Sequence, residues 1–210
     1  MVSMIRGLQI SILFRKAMLK PIVRYPLRRT FFGLSTTNHA IREQRYVLRK
    51  TINAPPSIIY AAVSEVSQYK EFIPYCTDSF VDKRNPADNK PVIGGLRVGF
   101  KQYDEEFICN VTCKDMINGD DAYTVVAETV SHNLFHLLYS KWTIMPHPTR
   151  PNATMVELLL RFKFKSRLYN SVSQIFAKTV TELVMNAFAK RAYNSVRLAM
   201  LKPPSKESSS

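Results

Sequence analysis

The sequence predicts an α+β fold in which a curved antiparallel sheet wraps around one long C-terminal helix and leaves an internal hydrophobic cavity. Apolar and polar residues alternate through much of the chain up to residue 165, which is typical of strands with one buried face. Residues 168–200 contain no Pro or Gly, and their apolar residues recur at steps of three and four, which is typical of an amphipathic helix. Strands followed by a helix indicate the α+β class.

The folded part of the chain is predicted to begin with a strand and a short helical region. Residues 46–53 alternate apolar with polar side chains, and the Ala-Pro-Pro sequence that follows ends the strand. Proline in the first turn of a helix loses no backbone hydrogen bond, so Pro56 predicts a helix over residues 56–63. A second short helical turn is predicted from residue 67, and Pro74 stops it.

Six strands are then predicted before the long helix. They occupy residues 77–84, 95–102, 105–114, 123–130, 134–144 and 154–165. Clusters of Pro, Asn, Asp and Gly predict loops at residues 85–91, 117–121 and 146–152. The last strand is the clearest: its inward positions are Val156, Leu158, Leu160, Phe162 and Phe164, and its outward positions include Glu157, Arg161, Lys163 and Lys165.

The net charge of +14, from 30 Lys and Arg against 16 Asp and Glu, is unevenly distributed. Residues 1–42 hold eight basic residues and no acidic one, which leaves a net charge of +6 for the rest. A basic, apolar, acid-free segment is typical of a mitochondrial targeting sequence, and Arg29-Thr30-Phe31 resembles a site for cleavage near residue 31. The alternative is a basic arm that binds nucleic acid. Residues 43–201 would then form the folded domain, and residues 202–210 a disordered polar tail.

Composition excludes several classes of protein. A hydrophobic content of 46% excludes a wholly disordered chain. No uncharged apolar run approaches the roughly 18 residues that a transmembrane helix needs. The three cysteines are too few for a disulfide-dense scaffold. Cys109 and Cys113 would lie about 13 Å apart along one strand, so they are expected to be unpaired apolar fillers.

The common catalytic motifs are missing from the sequence. It contains no Gly-x-Ser-x-Gly, no phosphate-binding glycine loop and no His-Glu-x-x-His. His132 and His136 have the spacing of a metal pair on a helix, but a strand would separate them. The sequence therefore predicts no catalytic residue, no metal and no catalytic cofactor, and favours a protein that is not an enzyme.

Four segments in the right order resemble a known family. Residues 66–76 (VSQYKEFIPYC) resemble the signature that follows the first helix in the coenzyme Q-binding branch of the START/polyketide-cyclase superfamily. Residues 96–100 (LRVGF) resemble its central strand, and residues 135–138 (FHLL) with Trp142 resemble the stretch that leads to its tryptophan. Residues 185–192 (MNAFAKRA) resemble the end of its C-terminal helix. The similarity covers roughly residues 44–200.

This resemblance implies a START-like, helix-grip domain that binds ubiquinone in its cavity. It also implies a carrier or chaperone role in respiratory electron transport and in efficient ubiquinone synthesis. Members of the family are regarded as peripheral proteins on the matrix side of the mitochondrial inner membrane. The implied partners are ubiquinone and related polyprenyl quinones, the anionic membrane surface, and respiratory or ubiquinone-synthesis complexes. No nucleic-acid partner is expected.

A polyprenyl quinone needs an apolar tunnel with a few hydrogen-bond donors. The alternation of the strands and the stripe of the helix predict its lining. These candidates are Val98, Phe100, Phe107, Leu134, Leu138, Trp142, Phe162, Phe164, Phe176, Val180, Val184 and Phe188. Any helix packed on a sheet needs such a stripe, so the pattern alone also fits a filled core.

Some polar and loop residues are candidates for the mouth of the cavity. Lys50 lies between Leu48 and Ile52 in the two-residue alternation, and Glu105 lies two residues before Phe107. Both side chains are therefore predicted on the buried face of a strand, where an unpaired charge is costly. Either one could bind a quinone carbonyl directly or through water. Phe72, Pro74 and Tyr75 belong to a loop that could open the tunnel.

Basic residues near the C-terminal strand and helix are candidates for contact with an anionic membrane. They are Arg161, Lys163, Lys165, Arg167 and Lys178. A solvated basic face explains the same residues. Two other functions stay open at this point. One is a polyketide-cyclase-like enzyme acting on a quinone precursor, with Lys50 and Glu105 as acid–base groups. The other is a ribosome- or RNA-associated module.

Overall fold

The computed structural model describes residues 43–100, 103–116, 121–131, 135–165 and 167–201, with side chains except at Phe100, Tyr103 and residues 167–178. The described residues form one compact unit. The predicted targeting sequence, its cleavage site, the tail, Leu134, His132 and most of the predicted turn at 117–121 lie outside the described residues.

The described part of the chain contains seven strands, two α-helices and one 3₁₀ helix. Their order is β1 (Gln44–Ile52), α1 (Pro56–Ser64), the 3₁₀ helix (Val66–Glu71), β2 (Cys76–Arg84), β3 (Pro91–Phe100), β4 (Tyr103–Lys114), β5 (Tyr123–Thr129), β6 (Phe135–Pro146), β7 (Thr154–Phe164) and α2 (Arg167–Leu201). The strands form one antiparallel sheet in the order β1-β7-β6-β5-β4-β3-β2. The predicted α+β architecture, with one sheet and a long C-terminal helix, is confirmed.

The third strand differs most from the prediction, because it begins at Pro91 rather than near residue 95. Proline is tolerated at the first position of a strand, since its missing N–H costs little there. Gly94 and Gly95 break the expected alternation because both are buried. A Cβ at Gly95 would lie 2.3 Å from the Phe80 ring, so glycine is needed where that ring covers the strand.

The main core lies where α1 and α2 pack on the sheet. Val63 of α1, Ile144 of β6 and Met185 and Phe188 of α2 are at most 1% exposed. The Phe188 ring packs edge-on against Trp142, with ring centroids 4.7 Å apart. It also meets the rings of Tyr69 and Phe72, each at 5.1 Å. Helix α2 is therefore fixed by aromatic contacts from three directions.

An ion pair holds the junction of the two short helices to the sheet. Both guanidinium NH2 groups of Arg84 donate to Glu65, at 2.7 and 3.1 Å, and Ser67 Oγ donates to Glu65 at 2.6 Å. The hydrogen bond from Arg84 holds the pKa of Glu65 below its usual value. A carboxylate whose pKa is lowered by folding adds stability above its unfolded pKa and loses it as pH falls.

Glu65→Gln is expected to lower the free energy of unfolding at neutral pH by about 1 kcal/mol, because this pair is bidentate but partly exposed. The difference from the wild type should begin to shrink as pH falls below the ordinary glutamate value of 4.5, where the unfolded chain takes up a proton, and should vanish once the native carboxylate is protonated too. Urea unfolding at several pH values measures it. Glu128→Gln, at an exposed position of β5, is the control. A difference that is constant with pH would contradict the electrostatic explanation.

Candidate functional site

The concave face of the sheet carries a second, separate apolar cluster, which we call the aromatic cluster. It consists of buried Phe162 and Phe164 with Tyr46, Phe135, Leu138 and Leu160 packed against them. Phe135 stacks on Phe164 with ring centroids 4.9 Å apart, and Phe107 of β4 meets Phe135 edge-on at 5.9 Å. Rings from four strands thus meet on one face.

Phe135 is a site residue that strand alternation could not identify. The pairing of β6 with β7 shifts between Phe135 and Leu137, so one residue is extra on β6. A bulge of this kind reverses the face on which the preceding residues lie. Phe135 therefore lies on the same face as Leu138, although simple parity would put them on opposite faces.

The candidate lining residues divide into a packed set and an incompletely covered set. Trp142, Phe162, Phe164 and Phe188 are buried, at 7% exposure or less. Val98, Phe107, Leu138, Val180 and Val184 are only partly buried. The side chains of Phe100 and Phe176, and all of Leu134, lie outside the described part. A contact between any of these residues and a ligand stays a prediction.

Cross-strand register shows which partly buried residues share a face. Leu96 pairs with Phe107, and Val98 pairs with Glu105, in the antiparallel ladder of β3 and β4. Directly opposed residues point to the same side of a sheet. Glu105 therefore lies on the concave side with Phe107, as the alternation predicted, and its cross-strand neighbour is Val98. Its side chain is partly buried.

Lys50 joins the edge strand β1 to helix α2. Its Nζ donates to Asn186 Oδ1 at 2.5 Å. Lys50 is partly buried, whereas Asn186 is exposed. The ammonium group thus lies at the seam between sheet and helix, where one of its three donors is used.

Polar contacts of Arg191 connect α2 to the 3₁₀ helix. Arg191 donates to Gln68 Oε1 at 2.8 Å and pairs with Glu71 at 3.0 Å. Its guanidinium also lies 5.4 Å from the centre of the Phe72 ring. Phe72, a predicted mouth residue, is therefore held between Arg191 and Phe188.

The loop after Phe72 contains an unusual backbone conformation. Tyr75 has a φ of 66°, which is uncommon for a bulky residue. Its carbonyl oxygen accepts a 2.9 Å hydrogen bond from Gly99 N, which ties the loop to β3. Pro74 is exposed and Tyr75 is partly buried. The predicted mouth loop thus has a strained backbone at Tyr75, and the hydrogen bond from Gly99 fixes that residue to the sheet.

A partly buried polar group beside Tyr60 of the main core was not predicted from the sequence. Lys90 forms ion pairs with Asp115 and Asp88 and lies 5.1 Å from the centre of the buried Tyr60 ring. Burial raises the pKa of Tyr60 well above its usual value. Its phenol is therefore protonated at neutral pH. The sequence could not predict this group, because its members come from segments that are distant in the sequence: α1, the β2–β3 loop and the residue after β4.

The three cysteines are free. Burial raises the pKa of Cys76 and Cys113 to about 11 and that of Cys109 to about 12. Thiols with such values are protonated at neutral pH and are poor nucleophiles. The expectation that Cys109 and Cys113 are unpaired is confirmed.

The predicted membrane-contact residues are only partly free to bind lipid. Arg161 donates to Glu43 at 2.6 Å and lies 5.6 Å from the centre of the Tyr139 ring. Lys163 is partly buried and Lys165 is exposed. The side chains of Arg167 and Lys178 lie outside the described part. Contact of these five residues with a membrane stays a prediction.

The described residues were also compared with what a membrane span or a metal site requires. None of their helices is both long enough and apolar enough to span a bilayer. They contain no group of three or more His, Cys, Asp and Glu side chains that could hold a metal. An open pocket of about 280 Å³ lies at the loops around Pro55 and His147, away from the aromatic cluster.

Comparison with known proteins identifies the family. Residues 52–189 match the family described as polyketide cyclase / dehydrase and lipid transport. The chain belongs to this family. It is 83% identical to the mitochondrial coenzyme Q-binding protein COQ10 of Saccharomyces cerevisiae, over 100% of both chains. It is 56% identical to the protein of the same name from Eremothecium gossypii, over 84% of this chain and 85% of that one. The resemblance to the coenzyme Q-binding branch is confirmed.

Solved structures share the fold. A START superfamily protein from Mycobacterium smegmatis superimposes with a TM-score of 0.61 at 17% identity, over 71% of this chain and 97% of that chain. An aromatase/cyclase from Streptomyces superimposes with a TM-score of 0.63 at 10% identity, over 75% of this chain and 98% of that one. The predicted helix-grip fold is thereby confirmed, and at these identities the likeness concerns the fold alone.

Proposed function

We propose that this protein binds ubiquinone, or a related polyprenyl quinone, between the concave face of the sheet and helix α2. One observation carries the proposal: apolar side chains on the concave face are incompletely covered although a packed core lies beside them. Phe107 and Leu138 are partly buried, whereas Trp142 and Phe188 in the adjacent core are buried. An apolar ligand would complete that burial, and the 83% identical relative is a coenzyme Q-binding protein.

The chemistry of the site suits the two parts of a quinone. An isoprenoid tail gains about 25 cal/mol for each Å² of apolar surface that it buries. The rings of Phe107, Phe135 and Phe162 offer faces and edges on which a quinone ring can stack. Lys50 keeps donors beyond the one that it gives to Asn186, so it can also donate to a quinone carbonyl. Glu105 could reach a carbonyl only through water or while protonated.

We assign the protein a carrier function without a catalytic step. The ionisable groups described near the core support this assignment. The thiols of Cys76, Cys109 and Cys113 and the phenol of Tyr60 are all protonated at neutral pH, because burial raises each pKa. None of them is an activated nucleophile or base.

The proposed setting is the matrix side of the mitochondrial inner membrane, with the protein bound peripherally. The basic, acid-free composition of residues 1–42 and the mitochondrial names of the relatives support this location. There the protein would hand quinone to respiratory complexes and to the enzymes of ubiquinone synthesis. The isoprenoid tail of ubiquinone makes a carrier useful, because a very apolar molecule passes slowly through water on its own.

Organic extraction of the purified protein, followed by mass spectrometry, tests the proposal. The expected result is a polyprenyl quinone at close to one molecule per protein, enriched over the phospholipids of the host membrane. Incubation with quinone precursors should leave their masses unchanged. Absence of quinone above the level carried over by a protein of another fold would refute binding, and a changed precursor would refute the non-catalytic assignment.

A further inference from the structure

The last turns of α2 expose apolar side chains to solvent. Tyr193, Leu198, Met200 and Leu201 are between 61% and 79% exposed. Isolated exposed apolar residues are normal on protein surfaces, but four within nine residues of one helix are a concentrated patch. They are also more exposed than the other large apolar side chains found at the surface of the described residues, such as Val47 at 41%.

The patch covers the outer side of the helix at Lys190 and Tyr193 and all of its last turn, where residues 197–201 are exposed. Met185, Phe188 and Ala192 recur at three- and four-residue steps and are at most 1% exposed. Tyr193, Arg197 and Leu201 recur at steps of four on the exposed side. The core therefore covers only one side of this helix up to Val196, and the outer side and the last turn are left without a partner in the described structure.

Basic residues lie among the exposed apolar ones. Lys190 and Arg197 are exposed, and neither makes an ion pair with any described residue. No acidic residue occurs in the sequence between Glu182 and Glu207. Arg191, by contrast, points its charge at Glu71. The exposed side of the helix is therefore both apolar and positively charged, which is typical of helices that lie in the interface of an anionic membrane.

The alternative occupants fit this surface less well. In a symmetric dimer the same patch would meet itself, so Lys190 and Arg197 of both copies would be brought together and repel. The buried centres of protein interfaces are depleted in lysine, whereas a lipid interface accommodates a long basic side chain whose charge reaches the headgroups.

We propose that the exposed face of α2 formed by Lys190, Tyr193, Arg197, Leu198, Met200 and Leu201 inserts into the headgroup region of an anionic bilayer. The inference rests on the proposed carrier function and deepens it, because it assigns the surface by which the carrier would bind the membrane. The same helix carries Val184 and Phe188 on its inner side, in the main core, so insertion of the outer side leaves that packing unchanged.

A local probe tests insertion without interference from the basic residues 1–42 of the full chain. Tyr193→Trp places a fluorophore on the proposed face, and Val47→Trp places one on the exposed face of β1 as a matched control. With phosphatidylcholine vesicles that contain phosphatidylglycerol and brominated lipid, quenching of the Tyr193→Trp protein should exceed that of the control several-fold. Equal quenching of the two proteins would overturn the proposal.

Two further variants separate the apolar and charged contributions. In the Tyr193→Trp background, Leu198→Asn with Leu201→Asn should weaken vesicle binding by that face about tenfold or more. Arg197→Glu should weaken binding to anionic vesicles about tenfold, whereas Arg150→Glu, in an exposed loop, should not. A wild type that self-associates through the leucines, with quenching unchanged by their replacement, would contradict membrane insertion.

Quinone extraction from the same preparations keeps the two proposals distinguishable. The leucine variant should lose quenching and retain quinone, since its substitutions lie on the outer side of the helix. Absence of quinone from the wild type would refute the binding function, and the quenching results would still decide whether the helix inserts.

Discussion

Replacement of Phe188 by alanine is expected to lower the free energy of unfolding by about 3–5 kcal/mol. Phe188 is 1% exposed and contacts the rings of Trp142, Tyr69 and Phe72. Its removal would leave a cavity where α2, the 3₁₀ helix and β6 meet, and the three rings cannot all move to fill it. A loss of this size is a large fraction of the stability of a typical domain.

Fluorescence offers a direct measurement, because Trp142 is the only tryptophan of the chain and lies against Phe188. Urea unfolding followed at this residue should show a lower midpoint for Phe188→Ala and a smaller decrease for Phe188→Leu. Tyr193→Ala, on the exposed side of the same helix, should change the free energy by less than about 0.5 kcal/mol. A Phe188→Ala effect as small as that of Tyr193→Ala would show that α2 is not held by these aromatic contacts.

The architecture could be predicted because its strongest signals are local. The change from two-residue to three- and four-residue periodicity marks the boundary between β7 and α2, which the structure places at Phe164 and Arg167. The start of β3 was placed too late, because Gly94 and Gly95 are packed by residues from other elements, Val66 and Phe80. Alternation cannot reveal packing partners that are distant in the sequence.

The site was predictable only in part, for the same physical reason. Alternation correctly placed Glu105 on the face of Phe107, because the regular ladder of β3 and β4 keeps the two-residue period. It missed Phe135, since a bulge in β6 shifts the register. The partners of Lys50 and Arg191, which are Asn186 and Glu71, depend on how α2 crosses the sheet. No spacing within one segment encodes that crossing.

Leu138→Trp is expected to reduce the quinone recovered from the purified protein at least about tenfold. Leu138 lies on the concave face opposite Phe162 and is only partly buried. If a ligand occupies the adjacent space, an indole can take its place, and the free energy of unfolding without ligand should change by less than about 1 kcal/mol. Extraction with mass spectrometry and urea unfolding measure the two quantities.

Leu137→Trp is the matched control, because Leu137 pairs with Lys163 on the opposite face of the same strand. It should leave quinone occupancy at the wild-type level. A filled core would behave in the reverse way: Leu138→Trp would overpack it, lower the free energy of unfolding by about 1–3 kcal/mol and leave quinone recovery unchanged. The pair of variants therefore distinguishes a ligand cavity from ordinary packing. The added volume lowers quinone occupancy if the space is a cavity, and it lowers the free energy of unfolding if the space is a filled core.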